Sequence, residues 1–351
     1  MKNKILLLGL VITVVCVEIF SGCKKHTATP QYNTDKSALT SLIDSATTFL
    51  NNIQEGNKPG EYAPGSKDTL NATISLALQV KNQNIFTQQQ VNNTSANLER
   101  VVLFVRSRVI QQVSAANLVA YWRFDGNAND TSGNGHNGTL ESGWLGASAS
   151  TVTPGNTLPQ LTDDRFGRPD MAYHFANGAY IDIPYDRALN PQSFTISLWI
   201  RADTTVPGNY MFSLDRWNGY KFQLQSNNFL FLTVSTDQGI HDVDDNPGTI
   251  PLHIWTQAAV SYTNGTEKFY INGQLIKTVQ VNGNPVTLSN PVDLVIGNEL
   301  PKNDYNFTDA NNPDYFWGAN YFTGSMDEIR FYNTALSDAD IYSIYTIEKS
   351  L

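Results

Sequence analysis

The chain has 351 residues, of which 16% are charged, and a net charge of −9 at pH 7. An acidic chain with no basic run is a poor nucleic-acid binder, and this length is enough for two separate cores. Its two cysteines are Cys16, inside an N-terminal apolar run, and Cys23 just after it. Loss of that run would leave a single thiol, which excludes disulfides, Cys-based metal sites and Cys nucleophiles.

Lys2 and Lys4 precede the apolar stretch Ile5 to Val17, the pattern of an export signal. The stretch is short for a membrane span, which needs about 20 residues. It ends in "FSGC" at Cys23, which resembles a bacterial lipoprotein signal of the Bacteroidetes type. The resemblance implies cleavage after residue 22, lipidation of Cys23 and attachment to a membrane of the cell envelope, with the leaflet left open. An ordinary signal peptide or an uncleaved anchor is the alternative. Residues 23–35, "CKKHTATPQYNTD", form a polar tether.

Residues 36–114 carry helical periodicity. Leu39, Leu42, Ile43, Ala46, Leu50 and Ile53 recur at i, i+3, i+4 spacing. "GNKPGEYAPGS" breaks the first helix with three Gly and two Pro. A second helix from about Asp68 should bury Leu70, Ile74, Ala77 and Leu78. Thr87 and Gln90 form a capping box for a third, with Val91, Leu98, Val101, Val102, Val105 and Val109 along it. Short links predict a three-helix bundle with no chemistry of its own, a spacer or docking module.

From Leu118 the texture changes to short β-branched and aromatic runs between Gly, Asn, Asp and Pro clusters. "SFTISLWIRA" puts Phe194, Ile196, Leu198 and Ile200 on one face. "WTQAAVSYTNGTEKFYINGQLIKTVQV" predicts three strands joined at Asn264-Gly265 and Asn272-Gly273, the dipeptide of type I′ turns. The chain as a whole is therefore α+β, with a helical bundle followed by an all-β antiparallel sandwich.

Five segments, "LVAYWRFDGNANDTSGNGHNGTL", "AYHFANGAYIDIP", "SFTISLWIR", "WTQAAVSYTNGTEKFYINGQLI" and "FTGSMDEIRFYNTALSDADI", occur in order across residues 117–347. In this the chain resembles laminin-G-like domains of the concanavalin A-like lectin/glucanase type. The resemblance implies a jelly roll, a fold that hosts lectins, hydrolases and adhesion modules alike. Related jelly rolls often hold a structural calcium where the first strand's loop meets the last long strand. The matching positions here are Asp125, Asn127 and Asp327. The loop is not an EF-hand, because Asp130 and His136 stand where that loop needs Gly and Glu. The alternative is that Asp327 caps a turn or pairs with Arg330, and that the Gly and Asn residues only shape a turn.

No E-x-D-x-E segment sets a carboxylate triplet on one strand face, and no zinc-protease, nucleophile-elbow or P-loop pattern is present. Asp327 and Glu328 of "MDEI" should point to opposite faces, and "HDVDDNP" reads as a solvated acidic loop. His174 and His253 are expected in strands, with structural roles, and Trp122, Trp199 and Trp255 in the core. "SLDRWNGYKF" offers Arg216, Trp217 and Tyr220. "NDYNFTDANNPDYFWGANYF" offers Tyr305, Asp314, Tyr315 and Trp317. Aromatic residues with Asp, Asn and Arg on long loops are what sugar rings and hydroxyls require. The expectation is a lipid-anchored, non-catalytic glycan-binding protein. The alternatives are a glycoside hydrolase or lyase with carboxylates from separate strands, and a protein-binding adhesion module.

Overall fold

The computed structural model describes residues 30–246 and 248–350. The leader, Cys23 and the first part of the tether lie outside the described residues. Helices α1 (Ser37–Asn52), α2 (Ser66–Asn82) and α3 (Gln88–Arg106) form the predicted bundle. Leu39, Ile43, Ala46, Leu70, Ile74, Ala77, Val91, Leu98 and Val105 close its core. The capping box is present: Thr87 accepts from the Gln90 amide, and the Gln90 side chain accepts from the Thr87 amide. Two details differ. Leu78 is 36% exposed, and Val109 lies past the end of α3, its backbone bridged to Tyr62.

The bundle is threaded end to end. The chain enters beside the α2–α3 link, where Tyr32 donates to the Asn84 carbonyl (2.6 Å) and Lys36 Nζ to the carbonyls of Lys81 and Gln83 (2.9 and 2.6 Å). It leaves beside the α1–α2 link, where Ile110 donates to the Glu61 carbonyl and Ala63 to the Arg108 carbonyl (2.8 and 3.0 Å).

Seventeen strands follow: β1 (Leu118–Trp122), β2 (Thr139–Ser142), β3 (Trp144–Leu145), β4 (Thr153–Pro154), β5 (Gln160–Thr162), β6 (Ala172–Phe175), β7 (Ala179–Ile183), β8 (Phe194–Ala202), β9 (Asn209–Leu214), β10 (Tyr220–Leu224), β11 (Leu230–Thr236), β12 (Gly239–Asp244), β13 (Thr256–Thr263), β14 (Thr266–Ile271), β15 (Gln274–Gln280), β16 (Leu294–Ile296) and β17 (Gly324–Tyr332). One sheet runs β15-β14-β13-β8-β17-β6-β5, with β1 also paired to β17. The second runs β12-β11-β10-β9-β16-β7-β2. All these pairs are antiparallel. The inner faces meet in one core that includes Trp122, Phe194, Ile196, Leu198, Phe212, Tyr220, Phe222 and Phe331, the jelly-roll arrangement. Of the two Asn-Gly turns, only Asn272-Gly273 has positive φ at both central residues. At the other, only Gly265 does.

Helix α4 (Asp338–Glu348) was not expected from the sequence. It lies on the outer face of the first sheet, where Tyr345 stacks on Trp199 with centroids 5.8 Å apart. Its Glu348 is fully buried, accepting from Trp199 Nε1 (2.8 Å) and paired with Arg330 (2.6 Å). Trp199 is thus covered by a helix rather than by the sandwich core. Trp255 is partly exposed, and His253 lies in an exposed turn, not a strand. Asp242 and Asp244 belong to edge strand β12, while Asp245 is buried and accepts from the Leu230 amide (2.8 Å). Residues 241–244 of "HDVDDNP" are therefore in the sheet rather than in a free acidic loop.

Candidate functional site

The two ends of the sandwich do meet where the sequence suggested, and arginines occupy the junction. Arg165 Nη1 lies 2.5 Å from Asp327 Oδ2, and Arg165 Nη2 lies 3.8 Å from Glu328. Arg123 pairs with Asp125 (2.9 Å) and reaches Glu328 (3.9 Å). The Tyr121 hydroxyl donates to Glu328. Asn127 is used locally: its side-chain amide donates to the Asp125 carbonyl, and its Oδ1 accepts from Asn129. A register shift between Asp327 and Arg330, with Glu328 at φ 51°, breaks strand alternation. Both carboxylates therefore face one guanidinium instead of opposite faces. Among the described residues no group of three or more His, Cys, Asp or Glu could hold a metal ion. Asp125 and Asp327, the two carboxylates expected to ligate calcium, each already face a guanidinium, which does not suit a divalent cation. Ion pairs join the ends here.

The second sheet positions the other candidates. On β10, Tyr220, Phe222 and Leu224 point into the core, so the period of two sends Lys221 and Gln223 to the outer face. Tyr220 is therefore a core residue, its hydroxyl donating to the Leu189 carbonyl (2.7 Å). It cannot touch a ligand. The turn from β9 to β10 is tight. Asp215 and Arg216 have φ of 54° and 32°, and the Asp215 carbonyl accepts from the amides of Asn218 and Gly219.

Arg216 is fully buried. Its Nη1 lies 3.0 Å from Glu299 Oε1, and its Nη2 donates to the carbonyls of Pro313 and Tyr315 (3.3 and 3.0 Å). It thus ties the 313–315 backbone to the β9–β10 turn, an organising role rather than a contact with ligand. Tyr305 is 8% exposed. Its hydroxyl lies 3.3 Å from both Asn298 Oδ1 and Glu299 Oε1, and with Leu300 and Phe316 its ring forms a small satellite core. Trp144 packs against that core and donates to the Lys302 carbonyl (2.7 Å). Burial raises the Glu299 carboxyl, and Arg216 opposes that shift.

Trp217, Asp314 and Trp317 remain at the surface. Trp217 is partly buried, lying over the Arg216 guanidinium and the Lys221 ammonium at 5.0 Å each. Lys221 is nearly sealed, with Tyr210 and Phe231 at 5.2 and 5.4 Å, and burial pulls its amine down to about 8. Trp317 is 57% exposed and meets Tyr315 edge-on at 4.8 Å. Asp314 lines a cavity of about 400 Å³ together with Asp215, Asn218, Ser235, Thr287 and Ser289. Asn218 Nδ2 donates to Asp215 Oδ1 (2.9 Å) and lies 3.4 Å from Asp314 Oδ1. Burial lifts Asp215 to about 6 and raises Asp314.

The structure therefore brings five of the six candidates to one end of the second sheet, with Arg216 and Tyr305 as supports and Tyr220 turned inward. Sequence reasoning passed over Asp215 and Asn218, although both stand in "SLDRWNGYKF". Residues 286–290 carried no signal, since a run of Val, Thr, Leu, Ser and Asn is ordinary linker composition.

The family model described as the concanavalin A-like lectin/glucanases superfamily matches residues 175–342. Among solved structures, Domain 4 of AbnA, a GH43 extracellular arabinanase from Geobacillus stearothermophilus solved with arabinotriose, is similar at 22% identity and a TM-score of 0.48, covering 65% of this chain and 98% of that one. The binding domain of Paraclostridial Mosquitocidal Protein 1 is similar at 19% identity and a TM-score of 0.45, covering 66% and 52%. A botulinum neurotoxin type C structure is similar at 17% identity and a TM-score of 0.42, covering 66% and 51%. This chain thus spans about half the length of the two toxin chains. No curated protein matches the sequence.

Proposed function

We propose that the β-sandwich, a domain of the concanavalin A-like lectin/glucanases superfamily, binds a glycan without cleaving it and is held off a membrane by the helical bundle. The observation that carries this reading is the polar cavity of about 400 Å³ at the β9–β10 turn. Asp215, Asn218 and Asp314 supply hydroxyl partners inside it. Trp217 lies in the same turn, and Tyr315 and Trp317 stand on the adjoining loop. Aromatic faces beside convergent carboxylates and amides are what a sugar ring requires. The bundle supports the spacer role. The chain enters at one end and leaves at the other, and the 19 residues of α3 span about 28 Å at 1.5 Å per residue. Export and a lipid anchor at Cys23 belong to the same reading and rest on the N-terminal sequence.

The test is retention in gels cast with different polysaccharides. Wild-type protein is expected to be retarded by at least one polymer. Trp317→Ala should migrate freely while keeping its melting temperature, and full retention of that variant would remove Trp317 from the site. A hydrolytic reading draws on one observation, the pairing of Asp215 and Asp314 through Asn218 with both carboxyls raised. Release of new reducing ends from the retained polymer would favour it over binding alone.

A further inference from the structure

Taking the cavity at the β9–β10 turn as the glycan site, an assignment on which this inference rests, we propose that it selects uncharged glycans and rejects those bearing carboxylate or sulfate groups. Asp215 and Asp314 are acceptor-only when ionised, and the Asn218 amide already faces both of them. Ser235, Thr287 and Ser289 add hydroxyls that both accept and donate. The lining is therefore rich in acceptors. Sugar hydroxyls, each carrying a proton to give, complement it. A uronate or sulfate would bring more acceptors and a like charge.

Two of the neighbouring cations, Arg216 and Lys221, are buried beneath the turn. Arg216 is buried against Glu299, and its Nη2 donates to the backbone carbonyls of Pro313 and Tyr315. Lys221 lies beneath Trp217 and donates to Gln223 Oε1 (3.1 Å). Arg187 reaches the lining through Thr287 Oγ1 (3.2 Å), and its other amino group donates to the Asn190 carbonyl. Arg216 relieves Asp215 and Asp314 only in part, and both carboxyls stay raised. Besides burial, Asp293 and Asp314 push up Asp304, and Asp314 and Asp304 both push up Asp215.

Like charges about 5 Å apart, at the effective dielectric of about 20 near a protein surface, weaken binding on the order of a hundredfold or more per unpaired anion before screening. Physiological salt trims this only partly, because the cavity is narrower than the screening length.

The experiment uses the protein in gels of neutral polymers (xyloglucan, arabinan, galactomannan, mixed-linkage β-glucan) and acidic ones (polygalacturonate, alginate, heparin) at 0.15 M salt. Retardation confined to neutral gels is the expected result. An oligosaccharide of the retained polymer should then bind at least tenfold more tightly than the same oligosaccharide oxidised to carry one uronate. Asp215→Asn combined with Asp314→Asn should weaken the neutral oligosaccharide and narrow that gap, read as the ratio of the two affinities. Strong retardation in an acidic gel would overturn this inference and leave the glycan site standing. Free migration in every gel would overturn both. An unchanged gap in the double variant, with folding confirmed by its melting temperature, would also overturn the assignment of selectivity to these two carboxylates.

Discussion

Arg216 and Glu299 face each other at 3.0 Å with both side chains shut off from water, and the same guanidinium holds the backbone of Pro313 and Tyr315. Removing one partner of such a pair strands the other as a buried charge. Arg216→Ala should therefore cost about 3–5 kcal/mol and abolish glycan retention, although Arg216 touches no ligand. Arg216→Met combined with Glu299→Leu should regain most of the stability, because a packed apolar pair replaces the ions. It should not regain retention, since the tie to the 313–315 backbone stays cut. Denaturant melts and gel retention of the two variants check both statements.

A pH dependence follows from two carboxyls, Asp182 on β7 and Asp245 just past β12. Burial, reinforced by the neighbouring Asp293, lifts Asp182 from 3.8 to about 7, and burial lifts Asp245 to about 6. The folded state keeps these protons where the unfolded chain has released them. Stability is therefore greatest near the unfolded values and declines as pH rises through 6 and 7. The melting temperature should fall between pH 5 and pH 8, and Asp182→Asn should flatten that fall. A melting temperature that rises over this interval in the wild type would contradict the assignment.

Glu267 offers a route to a more stable protein. It is fully buried, neither carboxyl oxygen has a partner, and burial pushes its pKa well above the usual range. It shares a face of β14 with Phe269, whose ring is in the core. Glu267→Met keeps the volume and removes the unsatisfied group. It should raise stability at pH 7 by about 1–3 kcal/mol, measured by urea unfolding. A loss of stability would mean that the acid has a partner in solution.

At the junction of the sandwich ends, Arg165→Ala leaves Asp327 buried without its guanidinium, while Glu328 keeps Arg123 at 3.9 Å. The expected cost is about 3–5 kcal/mol. A chelator should leave the wild-type melting temperature unchanged, and a fall on chelation would restore the calcium expectation for Asp125, Asn127 and Asp327.

What the sequence made legible is what is decided locally. The Thr87–Gln90 capping box, the alternation of Phe194, Ile196, Leu198 and Ile200, and the Asn272-Gly273 turn all depend on residues a few places apart. What it hid depends on distant partners. Arg216 looked like a loop cation because nothing nearby announces Glu299. The partner of Asp327 proved to be Arg165, not Arg330, because a bulge reorients the strand. Tyr220 looked like part of a polar turn, yet it opens the alternation of Phe222 and Leu224. Helix α4 escaped because Ile341, Ser343, Ile344, Thr346 and Glu348 are all buried, so no single apolar stripe marks it.

The end-to-end threading of the bundle also has a mechanical meaning. Because the chain enters beside Asn84 and leaves beside Glu61, at opposite ends of the helices, a pull between residue 36 and residue 110 loads α1 against α3 along their lengths. Their shared core must slide as a whole and cannot peel apart one contact at a time. Under steady drag on the sandwich, the lifetime of that connection would be set by the unfolding rate of three helices and not by their equilibrium stability.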